Sequence, residues 1–422
     1  MTLRIHTGTV RGNVHAPGSK SYTHRALVLG ALASGRTRIH GALRSEDTEA
    51  TLQGLISLGA RIRGSGTDLE VEPGTLVAPS RPIDARNSGT TLRLLCGVAS
   101  LLDVPVELTG DESLCRRPLR PLLNSLRQLR VECAAKGVDD CAPVRVRGPA
   151  RAGTARLRGD VSSQFVSSLL LIGPRLDGGL LVKITSPLAS APYVEATREA
   201  MSAFGAIVQR RESAFWVPAG QSYRAASFDV PGDFSSAAFL LAAAAVTGGD
   251  VTVGNLAGGA THPDSAILAF LERFGAQVRR ENGRASAAGG VLRAATVDLH
   301  DAPDLFPILS VVAAAAPGTS RLVGAPHLRH KESDRIRNVG RLLRGFGRVV
   351  RELPDGIEVE GGKLEGCEVD PEGDHRIAMA AAVAGLVAEG ETTLLDPESV
   401  AVSYPEFFDD LRRLGASVEA GG

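Results

Sequence analysis

One short phrase recurs along this chain of 422 residues: a hydrophobic residue, then glycine, then in most copies alanine, with another hydrophobic residue two positions later. Glycine commonly stands just past the end of a helix, so each copy predicts a helix end followed by a strand. A repeat that fills the whole chain predicts a fold made of six similar supersecondary units. The glycine slot recurs every 68 to 75 residues, at Gly59, Arg130 (a degraded copy), Gly205, Gly275, Gly347 and Gly415.

Each unit also contains a second helix that is rich in small apolar residues. The run Ala242-Ala243-Ala244-Ala245 is apolar on nearly every side, which is typical of a buried helix. The strands that follow alternate in polarity, as in Thr37–His40, and this indicates half-exposed sheets. The predicted buried helices are Thr23–Ser34, Ser88–Leu101, Ser162–Gly173, Ser235–Thr247, Leu305–Ala316 and Arg376–Ala388.

Six buried helices exceed what one core of ordinary size holds, so we expect an α/β protein of two domains with three units each. The turn Pro231-Gly232-Asp233, halfway along the chain, is a natural crossing point. We therefore predict one domain that contains both termini, residues 1–18 plus 231–422, and an inserted domain of residues 19–230. The functional site is expected in the cleft between the two domains.

Composition excludes several functional classes. The formal net charge is zero and aromatic residues make up only 4%, which argues against a nucleic-acid partner. The longest apolar runs are too short to span a membrane, and no basic segment precedes an apolar one at the N-terminus. Five scattered cysteines without a CxxC pair indicate reduced thiols and no metal site. We therefore expect a cytoplasmic location.

The stretch Pro17–Arg25 predicts an anion-binding helix start. A tight Pro-Gly entry is followed by Lys20, Ser21 and Arg25, and then by a long apolar run. Helix N-termini carry unpaired N–H groups and a partial positive charge, so they hold anions well. Ser21 and Arg25 are four residues apart and therefore share one helical face, where both could bind one phosphate.

The other buried helices begin with similar polar residues. Capping alone explains Asp233 and Ser235, since aspartate and serine are favoured cap residues. It does not explain Arg93 or Arg376, because a cation in the first turn opposes the helix dipole unless an anion sits there. The sequence therefore predicts a shared cleft that binds one or more multiply charged anions.

Five motifs occur in order along essentially the whole chain. They are Gly18-Ser19-Lys20-Ser21 with Arg25, Asn87-Ser88-Gly89-Thr90 with Arg93, Ser162-Ser163-Gln164-Phe165, Lys331-Glu332-Ser333-Asp334-Arg335 and Asp374-His375-Arg376. Together they resemble the motifs of the enolpyruvyl transferases. The Lys20–Ser21 pair is typical of the branch of that family that acts on shikimate 3-phosphate.

The resemblance implies a two-domain inside-out α/β barrel, with three βαβαββ-type units and buried helices in each domain. It implies transfer of the enolpyruvyl group of phosphoenolpyruvate to the 5-hydroxyl of shikimate 3-phosphate, with release of phosphate. It further implies a monomer that uses no metal or organic cofactor, binds only small-molecule substrates and is a target of glyphosate.

The resemblance also implies roles for individual residues. Asp304 is expected to be the base for the sugar hydroxyl, and Glu332 and Lys20 the groups that handle the proton at the enol carbon. Shikimate 3-phosphate is expected to contact Lys20, Ser21, Arg25, Ser162, Ser163, Gln164, Ser190, Asp304 and Lys331. Phosphoenolpyruvate is expected to contact Lys20, Asn87, Gly89, Arg117, Gln164, Arg335 and Arg376.

The chain departs from the family pattern at a few positions. Val402 stands where many members carry a lysine, which removes one cation from the phosphoenolpyruvate end. His327 stands where asparagine is common, and it is a further candidate contact.

Two rival interpretations fit the residues less well. The sister enzymes that act on UDP-N-acetylglucosamine carry a reactive cysteine five residues before the loop arginine, but Glu112 holds that place here and Cys115 is offset. A nucleotide-binding P-loop requires Gly-Lys-Ser/Thr, whereas Ser19 separates Gly18 from Lys20.

Overall fold

A computed structural model describes residues 2–256 and 262–421. The chain divides into two compact units. The first, which we call the terminal unit, consists of Met1–Pro17 together with Gly232–Gly422, and the second, the inserted unit, consists of Gly18–Pro231. The six smaller supersecondary units are called repeats from here on. The described residues contain no helix that combines the length and the apolar character needed to cross a membrane.

Among the described residues, six helices rich in small apolar residues are buried along most of their length, as predicted. In the fourth of them every residue from Phe234 to Ala245 is buried, since alanine lets neighbouring backbones approach closely without a polar face to solvate. With helices numbered along the chain, the buried ones are α1 (Lys20–Leu32), α3 (Gly89–Ala99), α5 (Ser163–Ile172), α7 (Phe234–Thr247), α9 (Phe306–Ala315) and α11 (His375–Gly385).

The alternating helices expose one face. Their most apolar positions are buried while most of their charged residues reach the surface, with Asp47, Arg335 and Asp410 as buried exceptions. These outer helices are α2 (Glu46–Ser57), α4 (Arg120–Gln128), α6 (Ala191–Ala203), α8 (Ile267–Arg273), α10 (Arg335–Gly345) and α12 (Phe407–Arg413).

Within the described residues, each unit contains three four-stranded sheets, and each of these sheets has one parallel pair and is otherwise antiparallel. In the inserted unit one sheet has the spatial order β6 (Ile83–Asp84), β7 (Val106–Thr109), β9 (Val144–Arg147) and β8 (Glu132–Ala135). The second has the order β10 (Gly153–Leu157), β11 (Leu180–Ile184), β13 (Ala214–Val217) and β12 (Gln209–Arg211). The third has the order β14 (Ser227–Asp229), β3 (Thr37–His40), β5 (Asp68–Glu72) and β4 (Arg61–Ser65).

The terminal unit repeats the arrangement and adds one small parallel pair, β22 (Leu364–Glu365) with β24 (Ala388–Glu389). One of its four-stranded sheets has the spatial order β2 (Arg11–His15), β15 (Asp250–Gly254), β17 (Arg284–Ala288) and β16 (Gln277–Glu281). The second has the order β18 (Thr296–Asp298), β19 (Gly318–Val323), β21 (Gly356–Gly361) and β20 (Val349–Leu353). The third has the order β23 (Glu368–Val369), β25 (Thr392–Leu395), β1 (Thr2–Ile5) and β26 (Val418–Ala420).

Two repeats exchange their first strands. In four sheets the parallel pair flanks a buried helix in sequence, as β6 and β7 flank α3. However, β2 precedes α1 but pairs with β15, which follows α7, while β14 precedes α7 but pairs with β3, which follows α1. The exchange occurs because the chain leaves the terminal unit after Pro17 and returns to it at Gly232.

The repeated glycine slot has the backbone conformation that the sequence predicts. All six residues have positive φ, including Arg130, whose side chain tolerates the left-handed region at a cost of about 1–2 kcal/mol. The helices and sheets confirm the mixed α/β class, whereas the barrel closure and the cleft stay predictions. The φ values are 107° (Gly59), 69° (Arg130), 82° (Gly205), 100° (Gly275), 77° (Gly347) and 93° (Gly415).

Candidate active site

In the inserted unit the starts of the first three helices are joined by polar contacts. Lys20, the first residue of α1, forms an ion pair with Asp47 near the start of α2, with Nζ 2.9 Å from Oδ2. The backbone oxygen of Asp47 lies 3.2 Å from the Thr91 hydroxyl in the first turn of α3. Lys20 is thereby held at the edge of the same group of helix ends that contains the Asn87–Gly89 motif.

The starts of α3 and α5 are joined by Gln164. Its Oε1 accepts a hydrogen bond from Arg93 Nη1 at 2.6 Å, and its Nε2 donates to the Thr90 hydroxyl at 2.8 Å. Ser162 caps α5 by accepting from the Gln164 backbone N–H, and Ser163 is the first residue of that helix. These contacts fix the orientation of the Gln164 amide.

Asn87 and Arg117 form a second oriented pair. Arg117 Nη2 donates to Asn87 Oδ1 at 2.5 Å and to Ser113 Oγ at 3.1 Å, and Asn87 Nδ2 donates to Asp111 at 2.6 Å. A Cβ atom at Gly89 would lie 3.4 Å from Arg117 Nη1 and would also crowd Arg93. Glycine therefore keeps the start of α3 open beside two guanidinium groups.

Arg25 is buried among uncharged acceptors. Only 2% of it is exposed, and it donates to the Thr197 hydroxyl (2.7 Å) and to the backbone oxygens of Ser21 (2.8 Å) and Tyr193 (2.9 Å). Burial lowers the pKa of Arg25 to about 10. None of these contacts neutralises its charge, so the site favours an anion.

Ser190 has a strained backbone. It directly precedes α6, and its own backbone is in the left-handed conformation, with φ 55° and ψ 42°. Only 6% of the residue is exposed. Non-glycine residues in that conformation cost about 1–3 kcal/mol and cluster at functional sites. Helix α6 is the helix that contacts Arg25 through Thr197.

In the terminal unit three cations surround Asp304. This residue lies in the short 3-10 helix Pro303–Leu305, and its Oδ1 is 3.4 Å from Lys331 Nζ and 3.0 Å from Arg335 Nη1. Its Oδ2 is 3.0 Å from Arg376 Nη2. Burial alone would raise the pKa of Asp304, but Arg376, Lys331 and Arg335 outweigh burial and hold it well below its usual range.

Arg335 is the hub of this cluster. Its Nε and Nη2 donate hydrogen bonds to Asp374 at 2.9 and 3.2 Å. Its Nη2 also forms an ion pair with Glu332 Oε2 at 2.7 Å, in a geometry that is not that of a hydrogen bond. Burial alone would lower the pKa of Arg335, but Asp374, Glu332 and Asp304 raise it. The three cations, Lys331, Arg335 and Arg376, therefore face three carboxylates, Asp304, Glu332 and Asp374.

The charged motif Lys331–Arg335 lies at the start of α10. That helix begins at Arg335, and Asp334 caps it by accepting from the Arg337 N–H. Lys331 and Glu332 lie in the preceding turn. This turn still brings both beside Asp304 or Arg335.

Two departures from the family pattern are both buried. His327 is 6% exposed, and burial, followed by the charge of Lys331, lowers its pKa to about 3. Val402 is 8% exposed and ends the 3-10 helix Pro397–Val402.

Asp233 caps α7 as expected, with its Oδ1 2.8 Å from the backbone nitrogen of Ser235. The same Oδ1 also lies 3.1 Å from His262 Nε2.

The predicted site residues thus form two groups, one in each unit. Sequence reasoning missed Asp47, Asp374 and Thr197 as their partners. Asp374 could have been found, since an acid one residue before a helix is a cap that can also hold a cation. The inserted unit holds Lys20, Ser21, Arg25, Asn87, Gly89, Arg117, Ser162, Ser163, Gln164 and Ser190, and the terminal unit holds Asp304, Lys331, Glu332, Arg335 and Arg376.

Comparison with known proteins gives a consistent result. The family model described as EPSP synthase (3-phosphoshikimate 1-carboxyvinyltransferase) matches residues 6–411. The 3-phosphoshikimate 1-carboxyvinyltransferase of Methanocorpusculum labreanum is 44% identical over 422 residues, 99% of each chain. That of Methanocella arvoryzae is also 44% identical, over 99% of this chain and 100% of the relative. A solved EPSP synthase from Acinetobacter baumannii is 31% identical with a TM-score of 0.80, covering 99% of this chain and 100% of that one.

Proposed function

The chain belongs to the EPSP synthase family, and from that premise we propose that its two polar groups bind shikimate 3-phosphate and phosphoenolpyruvate and join them. The reaction transfers the enolpyruvyl group of phosphoenolpyruvate to the 5-hydroxyl of shikimate 3-phosphate. Its products are 5-enolpyruvylshikimate 3-phosphate and phosphate, on the route to chorismate and the aromatic amino acids. The chain is therefore a 3-phosphoshikimate 1-carboxyvinyltransferase by activity.

The inserted unit supplies most contacts to shikimate 3-phosphate in this proposal. Arg25 is the principal cation for the sugar phosphate, because its charge is buried among uncharged acceptors. Ser21, Ser162, Ser163 and Ser190 add hydroxyl groups, and Gln164 adds an oriented amide. Lys331 and Asp304 of the terminal unit hold the end of the sugar that carries the reacting hydroxyl.

Phosphoenolpyruvate is assigned to guanidinium groups of both units. Arg117 lies beside the open backbone at Gly89 and is oriented by Asn87, while Arg335 and Arg376 contact Asp304. Planar guanidinium groups bind phosphate and carboxylate oxygens in pairs, which suits a substrate that carries both. Lys20 and Gln164 contact both substrates in this proposal.

The observation that carries the proposal is the partly buried group of charges around Asp304. Both of its carboxylate oxygens are occupied by cations, so in this state it is their counter-ion and a weak base. An anionic substrate that binds Arg335 and Arg376 replaces Asp304 as their partner. The pKa of Asp304 then rises, and the carboxylate becomes able to accept the proton of the 5-hydroxyl.

The second proton transfer occurs at the enol carbon. Addition of the 5-hydroxyl oxygen to C2 of phosphoenolpyruvate requires a proton at C3 and gives a tetrahedral adduct, which then loses phosphate and the C3 proton. Glu332, 2.7 Å from Arg335, and Lys20, paired with Asp47, are the groups assigned to this proton.

The test is phosphate release by the purified full chain. We expect release from phosphoenolpyruvate when shikimate 3-phosphate is present, and none when UDP-N-acetylglucosamine replaces it or when no acceptor is added. Product formation is followed in parallel by mass spectrometry. Release with UDP-N-acetylglucosamine only, or with neither acceptor, would show that the proposal is wrong.

The finer architectural expectations belong to the same proposal. We infer from the family resemblance that the three repeats of each unit close as an inside-out α/β barrel. We also propose that the enzyme acts as a monomer in the cytoplasm. Light scattering of the purified full chain tests the monomer, since a mass near 88 kDa in place of 44.0 kDa would overturn it.

A further inference from the structure

Thr197 occupies the centre of the contacts that hold Arg25. It lies in α6, has no exposed surface, and its Oγ1 is 2.7 Å from Arg25 Nε. The same oxygen lies 2.7 Å from Ser167 Oγ of α5 and 3.0 Å from the backbone oxygen of Tyr193. Three helices, α1, α5 and α6, therefore meet at one hydroxyl group.

The donors and acceptors around this hydroxyl can all be assigned. Arg25 Nε has a hydrogen to donate, so the Thr197 oxygen must accept it, and the Thr197 hydrogen goes to the Tyr193 carbonyl. The remaining lone pair of Thr197 accepts from the Ser167 hydroxyl. Ser167 in turn accepts from Arg25 Nη2 at 3.4 Å, a longer contact.

This assignment leaves a defined part of Arg25 for a ligand. Nη2 is directed to Ser167 and Tyr193, and one hydrogen of Nη1 goes to the Ser21 carbonyl. Among the described residues, the second hydrogen of Nη1 has no acceptor. The guanidinium plane, and with it the direction of that N–H, is set by Thr197 at the opposite edge.

A second contact holds the same two helices together. The Tyr22 hydroxyl donates to Glu199 Oε2 at 2.7 Å, next to the Arg25–Thr197 contact along both helices. Burial, reinforced by Glu199, raises the pKa of Tyr22, so the hydroxyl remains protonated and able to donate. The spacing of α1 from α6 therefore does not depend on Thr197 alone, and a change at Thr197 can affect Arg25 without separating the helices.

We propose that Thr197, supported by Ser167, is a positioning residue that directs Arg25 toward the phosphate of shikimate 3-phosphate, an inference that rests on the proposed function. Thr197 itself touches no substrate. A hydroxyl suits this place because it orients the guanidinium without neutralising it, as a carboxylate would. Loss of a neutral acceptor for a buried charged donor weakens an interaction that depends on that donor by about tenfold or more.

The experiment compares substrate affinities in the full chain by calorimetry and steady-state kinetics. We expect Thr197→Val to weaken shikimate 3-phosphate binding by about tenfold or more, while KM for phosphoenolpyruvate at saturating shikimate 3-phosphate stays within twofold. Thr197→Ser keeps the hydroxyl and should stay within threefold of wild type. Thr37→Val is the matched control, because Thr37 is a buried threonine of the same unit whose hydroxyl has no hydrogen-bond partner among the described residues.

Several outcomes would overturn the inference. Unchanged shikimate 3-phosphate affinity in folded Thr197→Val would do so, as would equal losses for both substrates or equal effects of Thr197→Val and Thr37→Val. If Thr197→Val does not fold, Ser167→Ala decides: about threefold weaker binding supports the role, and unchanged binding contradicts it. If the wild-type chain binds no shikimate 3-phosphate at all, the proposed function fails and the inference fails with it.

Discussion

Arg335 donates two hydrogen bonds to Asp374, from Nε to Oδ2 at 2.9 Å and from Nη2 to Oδ1 at 3.2 Å, with neither side chain accessible to solvent. Asp374 is also the cap of α11, since its Oδ1 accepts the Arg376 N–H at 3.0 Å. One carboxylate therefore fixes the positions of two arginines that the proposed mechanism assigns to phosphoenolpyruvate.

Removal of this carboxylate should destabilise the fold. Asp374→Ala leaves Arg335 buried without its main counter-ion, and breaking a buried pair in this way costs about 3–5 kcal/mol. Asp374→Asn retains an acceptor for the helix cap and separates the charge effect from the loss of the cap. Urea unfolding followed by circular dichroism measures both variants. Glu72→Ala, which removes an exposed ion pair with Arg36, should cost less than about 1 kcal/mol.

The prediction has a clear contrary result. If Asp374→Asn unfolds at the same urea concentration as wild type, the charge of Asp374 does not stabilise Arg335, and the carboxylate serves only as a cap.

Asp304→Asn should separate catalysis from binding. We expect kcat to fall by about 10²- to 10⁴-fold, because an amide cannot accept the proton of the 5-hydroxyl. KM for phosphoenolpyruvate should not rise, since the substrate no longer competes with a carboxylate for Arg335 and Arg376. Steady-state kinetics with each substrate varied in turn measures both effects. A kcat within tenfold of wild type would rule out Asp304 as the base.

The buried His327 should make the fold sensitive to acid. Its pKa is lowered from the usual 6.5 to about 3, so between these values the unfolded chain binds a proton that the folded chain does not. The free energy of unfolding therefore decreases as the pH falls from about 6.5 toward 3. The decrease amounts to at most about 1.4 kcal/mol per pH unit. Urea unfolding at several pH values between 4 and 7 measures this slope.

His327→Asn tests the assignment, since asparagine is polar and of similar size but does not titrate. The variant should lose less stability than wild type on going from pH 7 to pH 4. Some slope remains, because burial, with the charges of Lys20 and Arg25, also lowers the pKa of His24. Asp304, whose pKa is depressed, keeps its stabilising contribution above its unfolded value of about 4 and loses it only at lower pH. Identical slopes for wild type and His327→Asn would contradict the prediction.

The sequence predicted the repeated parts of the fold because they depend on local chemistry. The glycine slots and the small-residue helices recur six times, and even Arg130 takes the positive φ that its slot requires. The exchange of β2 and β14 could not be predicted in the same way. Val14 pairs with Val253, and Phe228 with Ile39, and nothing in the sequence near either strand specifies a partner so distant.

The candidate site shows the same division. Lys20, Arg25 and Arg376 were identified because cations at helix starts are unusual, and this signal lies within one turn of sequence. Their partners Asp47 and Thr197 are ordinary residues of outer helices, and only packing brings them within hydrogen-bond distance. The neutral surroundings of Arg25 and the balanced charges around Arg335 were likewise invisible, because both depend on contacts between separate elements.

Arg25→Ala should reduce shikimate 3-phosphate affinity by about 100-fold or more while changing the melting temperature little. The loss of affinity follows because Arg25 is the principal cation for the sugar phosphate, and charge-assisted contacts to phosphate are among the strongest in proteins. The small effect on stability follows because a buried guanidinium without a carboxylate is itself costly, so its removal offsets the lost hydrogen bonds.

Calorimetry with shikimate 3-phosphate and thermal unfolding of the same preparations measure the two effects. Arg36→Ala, which removes an exposed arginine of the same unit, should leave the affinity unchanged. A fall in melting temperature of Arg25→Ala by more than about 10 °C with unchanged affinity would identify Arg25 as a structural residue, since 1 kcal/mol corresponds to only a few degrees in a domain of this size.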